Sequence, residues 1–326
     1  MEALVKQLTE AFGPSGEESP VGSLIEQKIK DKVDRLYFDN LGNLIAIRKG
    51  PSPRVVISAH MDEIGVIITH LDERGFARLA PVGGVLPYLL VGQRVKFNQG
   101  LVGTVYHEKI KNIRELDWSK LYLDVEAGKD ARVKIGDLAV LDQPFVSLGE
   151  RYLAKAMDDR AGCAVLIETI HRLPPEVPQE LCFVFSVQEE VGLRGARTAA
   201  YQLKPDFGLA VDVTGVGDTP KSPVMAVELG KGVAIKVKDS SVITHPAVRQ
   251  FMIETAERHN IPYQLEVLER GGTDAGVIHL SREGVPTGAL SIPCRYIHTP
   301  SEMIDSRDLI AAVDLLEKLC LSTWPA

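Results

Sequence analysis

The most constraining feature of the sequence is the run at residues 183–192, F-V-F-S-V-Q-E-E-V-G, where an apolar stretch ends in the adjacent carboxylates Glu189 and Glu190. Its β-branched and aromatic residues predict a strand buried on both faces, as in a parallel sheet covered by helices. Ligands bind at the carboxyl ends of such strands. Two neighbouring acids there repel each other unless a cation or a shared proton compensates them. A solvated turn also explains a single Glu-Glu pair, so the other strand ends decide the interpretation.

Other predicted strand ends, and the start of a helix predicted to extend to about residue 172, carry residues of the same kind. They are His60, Asp62, Asp158, Asp159, Asp212 and His298. Each has an ordinary structural explanation, and Asp158 with Asp159 could simply cap the helix. Together they predict two imidazoles and several carboxylates at one edge of one sheet. Such a cluster of acids is unfavourable without a metal ion.

The donor types predict which metals such a site would hold. Nitrogen and oxygen ligands without thiolate favour Zn²⁺, Co²⁺ or Mn²⁺, and two imidazoles argue against Ca²⁺ or Mg²⁺ alone. Two histidines with more than two acids suffice for two ions that share one bridging carboxylate, an arrangement used in metal-assisted hydrolysis. The cysteines form no C-x-x-C pair and are expected to be buried free thiols: Cys163, Cys182, Cys294 and Cys320.

Two patterns of predicted secondary structure divide the chain into an α/β part and an all-β part. Predicted strands alternate with helices in residues 1–64 and 151–326, which indicates an α/β domain with a mixed, largely parallel sheet covered by helices. Residues 65–150 instead contain short alternating β-like runs broken by Gly, Pro and charged turns. This segment predicts an inserted all-β domain, with the alternation of an antiparallel barrel or sandwich.

Composition excludes several classes of partner. The 326 residues are 45% hydrophobic and 25% charged, with a net charge of −7 and no Lys/Arg-rich block, so neither nucleic acid nor an anionic membrane is an expected partner. The first residues are too charged for a signal peptide, and no run approaches the roughly 18 apolar residues of a membrane span. A cytoplasmic location is predicted.

Five segments resemble, in order, the metal-site motifs of the M42 metallopeptidases, which include glutamyl, deblocking and tetrahedral aminopeptidases, some of them named cellulases. The segments are H-M-D-E-I-G, A-M-D-D-R-A-G, Q-E-E-V-G-L-R-G-A, V-D-V-T and R-Y-I-H-T-P-S-E. Further matches, such as S-G-E-E, L-G-K-G and G-G-T-D-A-G, extend the resemblance over nearly the whole chain. Val233 stands where the family often has Pro, and the loop after Asp212 and the inserted domain are short. These departures affect the expected substrate specificity.

The resemblance implies a role for each residue. Asp158 would bridge two divalent ions per subunit, Zn²⁺, Co²⁺ or Mn²⁺. One ion would be completed by His60 and Asp212, and the other by Glu190 and His298. Glu189 would be the general base and Asp62 the carboxylate that orients His60. A cis peptide bond between Asp158 and Asp159 is also implied.

The same resemblance implies a zinc-peptidase-like catalytic domain and an aminopeptidase that removes N-terminal residues from peptides. It further implies homo-oligomers: dimers built on the inserted domain, often assembled into a hollow tetrahedral dodecamer.

Several alternatives stay open at this point. Thr273 and Asp274 could line the substrate pocket or form a plain turn, and Arg295 could contact substrate or form an ion pair. Deacylation of N-acyl amino acids or small amides could use the same two-metal site. A glycosidase needs two metal-free carboxylates, whereas the obvious acids here are assigned to metals. A binding protein on an inactive peptidase scaffold would lack ligands or base, and none is missing.

Overall fold

The computed structural model describes residues 1–125 and 133–325, which form a mixed α/β sheet system and a separate six-stranded barrel. The fold class predicted from the sequence is therefore confirmed. The helices are α1 (Glu2–Glu10), α2 (Ser19–Ile29), α3 (Pro87–Leu90), α4 (Met157–Arg172), α5 (Arg194–Leu203), α6 (Pro246–Arg258), α7 (Ala275–Ile278) and α8 (Ser306–Leu321). Two short 3₁₀ turns lie at Ile113–Glu115 and Trp118–Lys120.

The strands are also numbered in chain order. They are β1 (Arg35–Phe38), β2 (Leu44–Arg48), β3 (Arg54–His60), β4 (Gly65–Leu71), β5 (Phe76–Val82), β6 (Arg94–Phe97), β7 (Val102–His107), β8 (Leu121–Asp124), β9 (Leu138–Leu141), β10 (Val146–Leu148), β11 (Arg151–Ala154), β12 (Glu180–Ser186), β13 (Phe207–Thr214), β14 (Val233–Lys238), β15 (Tyr263–Val267), β16 (Thr287–Arg295) and β17 (Glu302–Asp305).

The centre of the large sheet is parallel and its margins are antiparallel. The strand order is β1-β2-β12-β3-β13-β16-β17-β11-β10, and β14 with β15 extends from β16. β12, β3, β13 and β16 run parallel to one another, so their carboxyl ends meet at one edge. β12 and β13 are buried along almost their whole length because helices cover both faces.

Helices α1, α2, α4, α6 and α8 share one core with the inner face of the sheet, while α5 and α7 cover the other face. α4 is the most buried of the described helices because it lies between the sheet and α8. α8 begins where its N-cap Asp305 accepts a hydrogen bond from Arg307 N at 2.8 Å. This arrangement leaves the carboxyl edge of the central strands uncovered by helices.

The barrel closes in the order β4-β5-β8-β7-β6-β9 around its own apolar core. Closure leaves it without the unpaired edges that promote aggregation. The chain enters β4 five residues after β3 ends at His60, so the barrel lies beside the carboxyl edge of the large sheet. β10, at Val146–Leu148, pairs with β11 in the large sheet, although the sequence-based division grouped it with the inserted segment.

Some local predictions differ from the structure. Asp212 was expected at a strand end, but β13 continues to Thr214 because it pairs with β16 as far as Pro293. The short strands β14 and β17 were not predicted at all. The expectation of four buried free cysteines is confirmed. Among the described residues, no helix combines the length and the apolar character needed to cross a membrane.

Candidate metal centre

The first imidazole of the site belongs to His60, the buried last residue of β3. Its Nδ1 lies 3.1 Å from the carbonyl oxygen of Asp62 and donates to it when the proton is on Nδ1. That tautomer leaves Nε2 free to bind a metal ion. Nε2 lies 2.9 Å from Asp158 Oδ1 and 3.8 Å from Asp212 Oδ1. The ring therefore turns Nε2 towards two carboxylates.

The second imidazole, His298, lies on the other side of Asp158. Its Nε2 is 3.3 Å from Asp158 Oδ2 and 3.1 Å from Glu190 Oε2. Its backbone has φ +62°, a left-handed conformation that costs about 1–3 kcal/mol outside glycine. The His298 N–H donates to Glu302 Oε1 at 2.8 Å, and Asp158 N donates to Glu302 Oε2 at 3.0 Å. Glu302 thus holds the backbones of both residues.

The adjacent acids at the start of α4 have different surroundings. The peptide bond between Asp158 and Asp159 is cis, which confirms that prediction. Asp158 turns its two oxygens towards two different imidazoles. Asp159 instead accepts hydrogen bonds from Gly162 N at 2.9 Å and from His60 N at 3.3 Å, and it is fully buried. Only the first acid is positioned between the two histidines.

Asp62 holds two strand ends together. Its Oδ1 lies 3.5 Å from His60 Nδ1 and accepts a hydrogen bond from Glu189 N at 2.9 Å. Its Oδ2 accepts from Glu190 N at 3.1 Å and from the Ser15 hydroxyl at 2.6 Å. One buried carboxylate therefore fixes the end of β3, the turn after β12 and the N-terminal loop.

The two neighbouring glutamates reach different imidazoles. Glu189 Oε2 lies 3.9 Å from His60 Nε2, while Glu190 Oε2 lies 3.1 Å from His298 Nε2. Because Asp62 holds both of their backbone N–H groups, the side chains diverge from a fixed turn. The two acids consequently occupy different parts of the site.

The electrostatics of the cluster fit divalent cations. Burial raises the pKa of Glu189 and of Asp212 well above the ordinary values, and His60 offsets only part of this. Burial also raises the pKa of Asp158, but hydrogen bonds from both imidazoles outweigh it and bring that pKa below its usual value. Burial lowers the pKa of His298, yet its two carboxylate contacts raise it to about 11. Divalent cations would stabilise these carboxylates in their ionised form.

Within the described parts of the chain, two sets of donor atoms are close enough together to hold an ion. His60, Asp158 and Glu190 form one set and His60, Asp159 and Asp212 form the other, each with its donor atoms within 4.8 Å of one another. These donors are imidazole nitrogens and carboxylate oxygens, a combination that suits Zn²⁺, Co²⁺ or Mn²⁺. The centre lies in a cavity of about 540 Å³, into which both imidazoles and both glutamates project.

The remaining predicted residues lie around this cavity. Asp274 is buried below it, where its Oδ2 accepts hydrogen bonds from the hydroxyls of Ser58 and Ser186. Thr273 is also buried, whereas the preceding Gly271 and Gly272 line the cavity.

Arg295 forms a two-point ion pair with Asp218, with Nε and Nη2 each 2.8 Å from a carboxylate oxygen. Of the two open interpretations of Arg295, the ion pair is the one present.

Comparison with known proteins identifies the family. The M42 glutamyl aminopeptidase profile matches residues 42–315. The chain belongs to the M42 peptidase family. A putative aminopeptidase from Acetivibrio thermocellus is 50% identical to this M42 protein over 323 residues, which cover 97% of this chain and 98% of that one.

Solved structures agree with this membership. An aminopeptidase from the archaeon Desulfurococcus kamchatkensis has a TM-score of 0.95 and 39% identity, covering 99% of this chain and 94% of that chain. A TET1 peptidase from Pyrococcus horikoshii has a TM-score of 0.88 and 32% identity, and the match covers 98% of this chain and 99% of that chain. That peptidase is described as able to assemble into a tetrahedron or a large octahedral shell. This M42 family member is thus a hydrolase of the aminopeptidase class, with a group of residues suited to divalent metals.

Sequence reasoning missed three residues that support the M42 site. Ser15 donates to Asp62, Glu18 accepts from Gln188 N at 3.1 Å, and Glu302 accepts from the backbone N–H groups of Asp158 and His298. Ser15 and Glu18 are the first and last residues of the S-G-E-E segment, and Glu302 is the last residue of R-Y-I-H-T-P-S-E. Because these segments carry the family resemblance, they were the signal in the sequence that could have identified the three residues.

Proposed function

We propose that this protein is an aminopeptidase that removes N-terminal residues from peptides with two divalent ions held by one bridging carboxylate. The observation that carries the proposal is the position of Asp158, whose two oxygens lie 2.9 Å and 3.3 Å from the imidazoles of His60 and His298. A carboxylate between two imidazoles can serve one ion through each oxygen. The residues completing each ion would be Asp212 beside His60 and Glu190 beside His298.

The ions that fit these donors are Zn²⁺, Co²⁺ or Mn²⁺. When bound, they would supply Lewis acidity that polarises the scissile carbonyl and makes a water molecule easier to deprotonate. The protein's own contribution is to fix the ligands. Asp62 and Glu302 do this through hydrogen bonds to the ligand-bearing backbones, and Asp62 also favours the tautomer that leaves His60 Nε2 free.

Glu189 is the proposed general base. Its side chain lines the cavity, and its Oε2 is 3.9 Å from His60 Nε2 without sharing the Asp158 contacts. Its backbone is held by Asp62, which fixes the turn from which the carboxylate reaches the cavity. It can take the proton of the attacking water and pass it to the leaving amine.

The test compares two matched substitutions in neighbouring residues. Glu189→Gln should keep both metal ions and lose kcat by roughly 10²–10⁴-fold. Glu190→Gln should lose one ion per subunit and melt at a lower temperature, because bound metal stabilises the fold by mass action. Elemental analysis and turnover of aminoacyl-nitroanilides with Zn²⁺, Co²⁺ and Mn²⁺ measure both effects. Near-normal turnover in both variants would refute the mechanism.

The same assays separate peptidase from deacylase activity. A peptidase of this kind acts on peptides with a free N-terminal amine and spares their N-acetylated forms. The reverse preference would identify a deacylase of N-acyl amino acids or small amides that uses the same two-metal centre. Activity on cellulose that survives full chelation would instead favour a glycosidase.

We also propose that the barrel mediates homo-oligomerisation. Leu86 and Tyr88, around α3, are 47% and 59% exposed, and Val102 and Tyr106 on β7 are also exposed. Val102 and Tyr106 project from the same outer face of β7, and an exposed apolar face of this kind is typical of a protein interface. The TET1 peptidase described above can assemble into a tetrahedron or a large octahedral shell. Light scattering should give a dimer or a larger assembly, which Tyr88→Asp should dissociate; a monomeric parent protein at micromolar concentration would contradict this.

A further inference from the structure

A second cavity, of about 670 Å³, adjoins the metal centre. Its lining shares Gly215, Leu268, Arg270 and Ile297 with the cavity of the centre, so the two spaces are neighbours. A substrate whose scissile bond lies at the centre can therefore extend a side chain into this second cavity. Most of its remaining lining is apolar: Val216, Pro223, Val224, Met225, Val267 and Tyr296. The cavity thus offers a largely apolar surface next to the reacting bond.

One internal ion pair borders this apolar surface. Arg295 lines the cavity, and its guanidinium binds both oxygens of Asp218 at 2.8 Å. Asp218 lies behind it with its side chain 13% exposed, against 24% for Arg295, and it also accepts from Leu229 N at 3.0 Å. The arginine lowers the pKa of Asp218, so this carboxylate is ionised at neutral pH. Each charge is consequently matched by the other.

The other charged side chains at the cavity are Glu269 and Arg270, which are adjacent in sequence, opposite in sign and exposed to solvent. They leave no net charge at the rim. The charge balance of the interior thus depends on the Arg295–Asp218 pair.

We propose that this cavity receives the side chain of the substrate's N-terminal residue, and that Arg295 and Asp218 together determine a preference for apolar side chains. The inference rests on the proposed aminopeptidase function, since it assigns a substrate class to the same site. A substrate carboxylate would have to displace Asp218 from a two-point contact with the guanidinium. A substrate ammonium would meet Asp218 only behind the arginine. An apolar side chain needs no such exchange and leaves water for the apolar walls.

The pair permits a charge-reversal test with matched variants. Asp218→Asn keeps the shape and an acceptor for Leu229 N but frees the positive charge of Arg295. The ratio of kcat/KM for glutamyl- over leucyl-nitroanilide should then rise by about tenfold or more, as for a newly available charged hydrogen bond. Arg295→Met keeps an unbranched apolar side chain but removes the guanidinium, which uncovers Asp218, so the lysyl-over-leucyl ratio should rise by a similar factor of about ten.

The double variant, Asp218→Asn with Arg295→Met, is the internal control. It contains neither charge, and it should return both ratios to within about threefold of the parent protein if charge balance sets the preference. Because it leaves no unpaired charge, it also remains informative if either single variant folds poorly. Metal content and melting temperature are measured on all three proteins, so that loss of the centre is not mistaken for a change in specificity.

The outcomes distinguish this inference from the function on which it rests. A parent protein that turns over aminoacyl-nitroanilides and prefers leucyl over glutamyl and lysyl supports both. Turnover with a preference for a charged residue, or ratios unchanged in the single variants, overturns the inference and leaves the aminopeptidase intact. The inference is also overturned if the single variants change kcat/KM according to the second residue of dipeptide substrates and not according to the first. Absence of turnover with every metal overturns the proposed function itself.

Discussion

Replacing Gly84 with alanine tests whether the barrel determines the position of His298. Gly84 lies in the connection between β5 and α3, and a Cβ added to it would lie 2.5 Å from Nδ1 and 2.7 Å from Cε1 of the His298 ring. The backbone of Gly84 is not in the left-handed region, unlike that of Gly83. The substitution therefore adds a steric contact without imposing backbone strain.

The required displacement can be worked out from these contacts. To restore an ordinary separation of about 3.5 Å, the ring or the connection must move by about 1 Å. The His298 backbone is held by the hydrogen bond to Glu302, so the imidazole is the part that must swing. Its Nε2 would then leave the positions 3.1 Å from Glu190 and 3.3 Å from Asp158. Metal sites tolerate deviations of only about 0.2 Å in ligand distance.

We expect Gly84→Ala to weaken metal binding by about 10–100-fold and to lower kcat by about 10²-fold at saturating metal, as for other displacements of this size. Metal content after dialysis against graded free Zn²⁺ measures the first effect, and aminoacyl-nitroanilide turnover measures the second. Gly215→Ala is the control for metal content, because a Cβ there meets nothing within 4 Å and the backbone is not left-handed. Metal affinity and kcat equal to those of the parent protein would refute the claim that this connection fixes His298.

Three further perturbations test the supports of the centre. Ser15→Ala removes a hydrogen bond to Asp62 and should weaken metal binding by about tenfold in a chelator competition. Ser15→Thr should keep most of the affinity. An unchanged Kd in Ser15→Ala would contradict the idea that Ser15 supports the centre through Asp62. Glu63→Gln leaves the buried Lys155 and Arg160 without their carboxylate and should lower the free energy of unfolding by about 3–5 kcal/mol in urea; a loss below about 1 kcal/mol would contradict this. Chelation should lower the melting temperature, since free metal at about 100 times Kd stabilises by about 2.7 kcal/mol; a melting temperature independent of free metal would argue against a resident ion.

The central part of the fold was predictable because local sequence and tertiary environment agree there. β12 ends at Ser186, inside the apolar run from which a buried strand was predicted, and α4 ends at Arg172, where its helix was expected to end. β14 was missed because Lys236 interrupts its apolar pattern. That lysine is fully buried, and Glu266 and Asp239 compensate its charge. Glu266 belongs to β15, 30 residues further along the chain, so no local pattern indicates that the lysine would be compensated there.

The short strand β17 was missed for a different reason. Its four residues have no distinctive periodicity, and they become a strand only by pairing with β11 and β16. The same limitation applies to the site. Individual donors could be found at strand ends, but the hydrogen bonds that hold them join Ser15 to Asp62 and Asp158 to Glu302 across separations of 47 and 144 residues. Contacts of that kind depend on tertiary packing.

The point at which the barrel interrupts the catalytic domain explains why an independently packed barrel takes part in the site. The chain leaves β3 at His60, passes Asp62 and enters β4 at Gly65, so the entry of the barrel is held by the carboxylate that also holds both glutamates. The barrel returns to the centre at Gly83 and Gly84, where only hydrogen atoms leave room for the side chains of Glu190 and His298. A rigid movement of the barrel against the sheet would therefore press on Glu190 and His298, which are the residues proposed to complete one of the two ions. The two halves of the centre consequently differ in mechanical support: the strands of the sheet hold the His60 half, whereas the barrel also confines the His298 half.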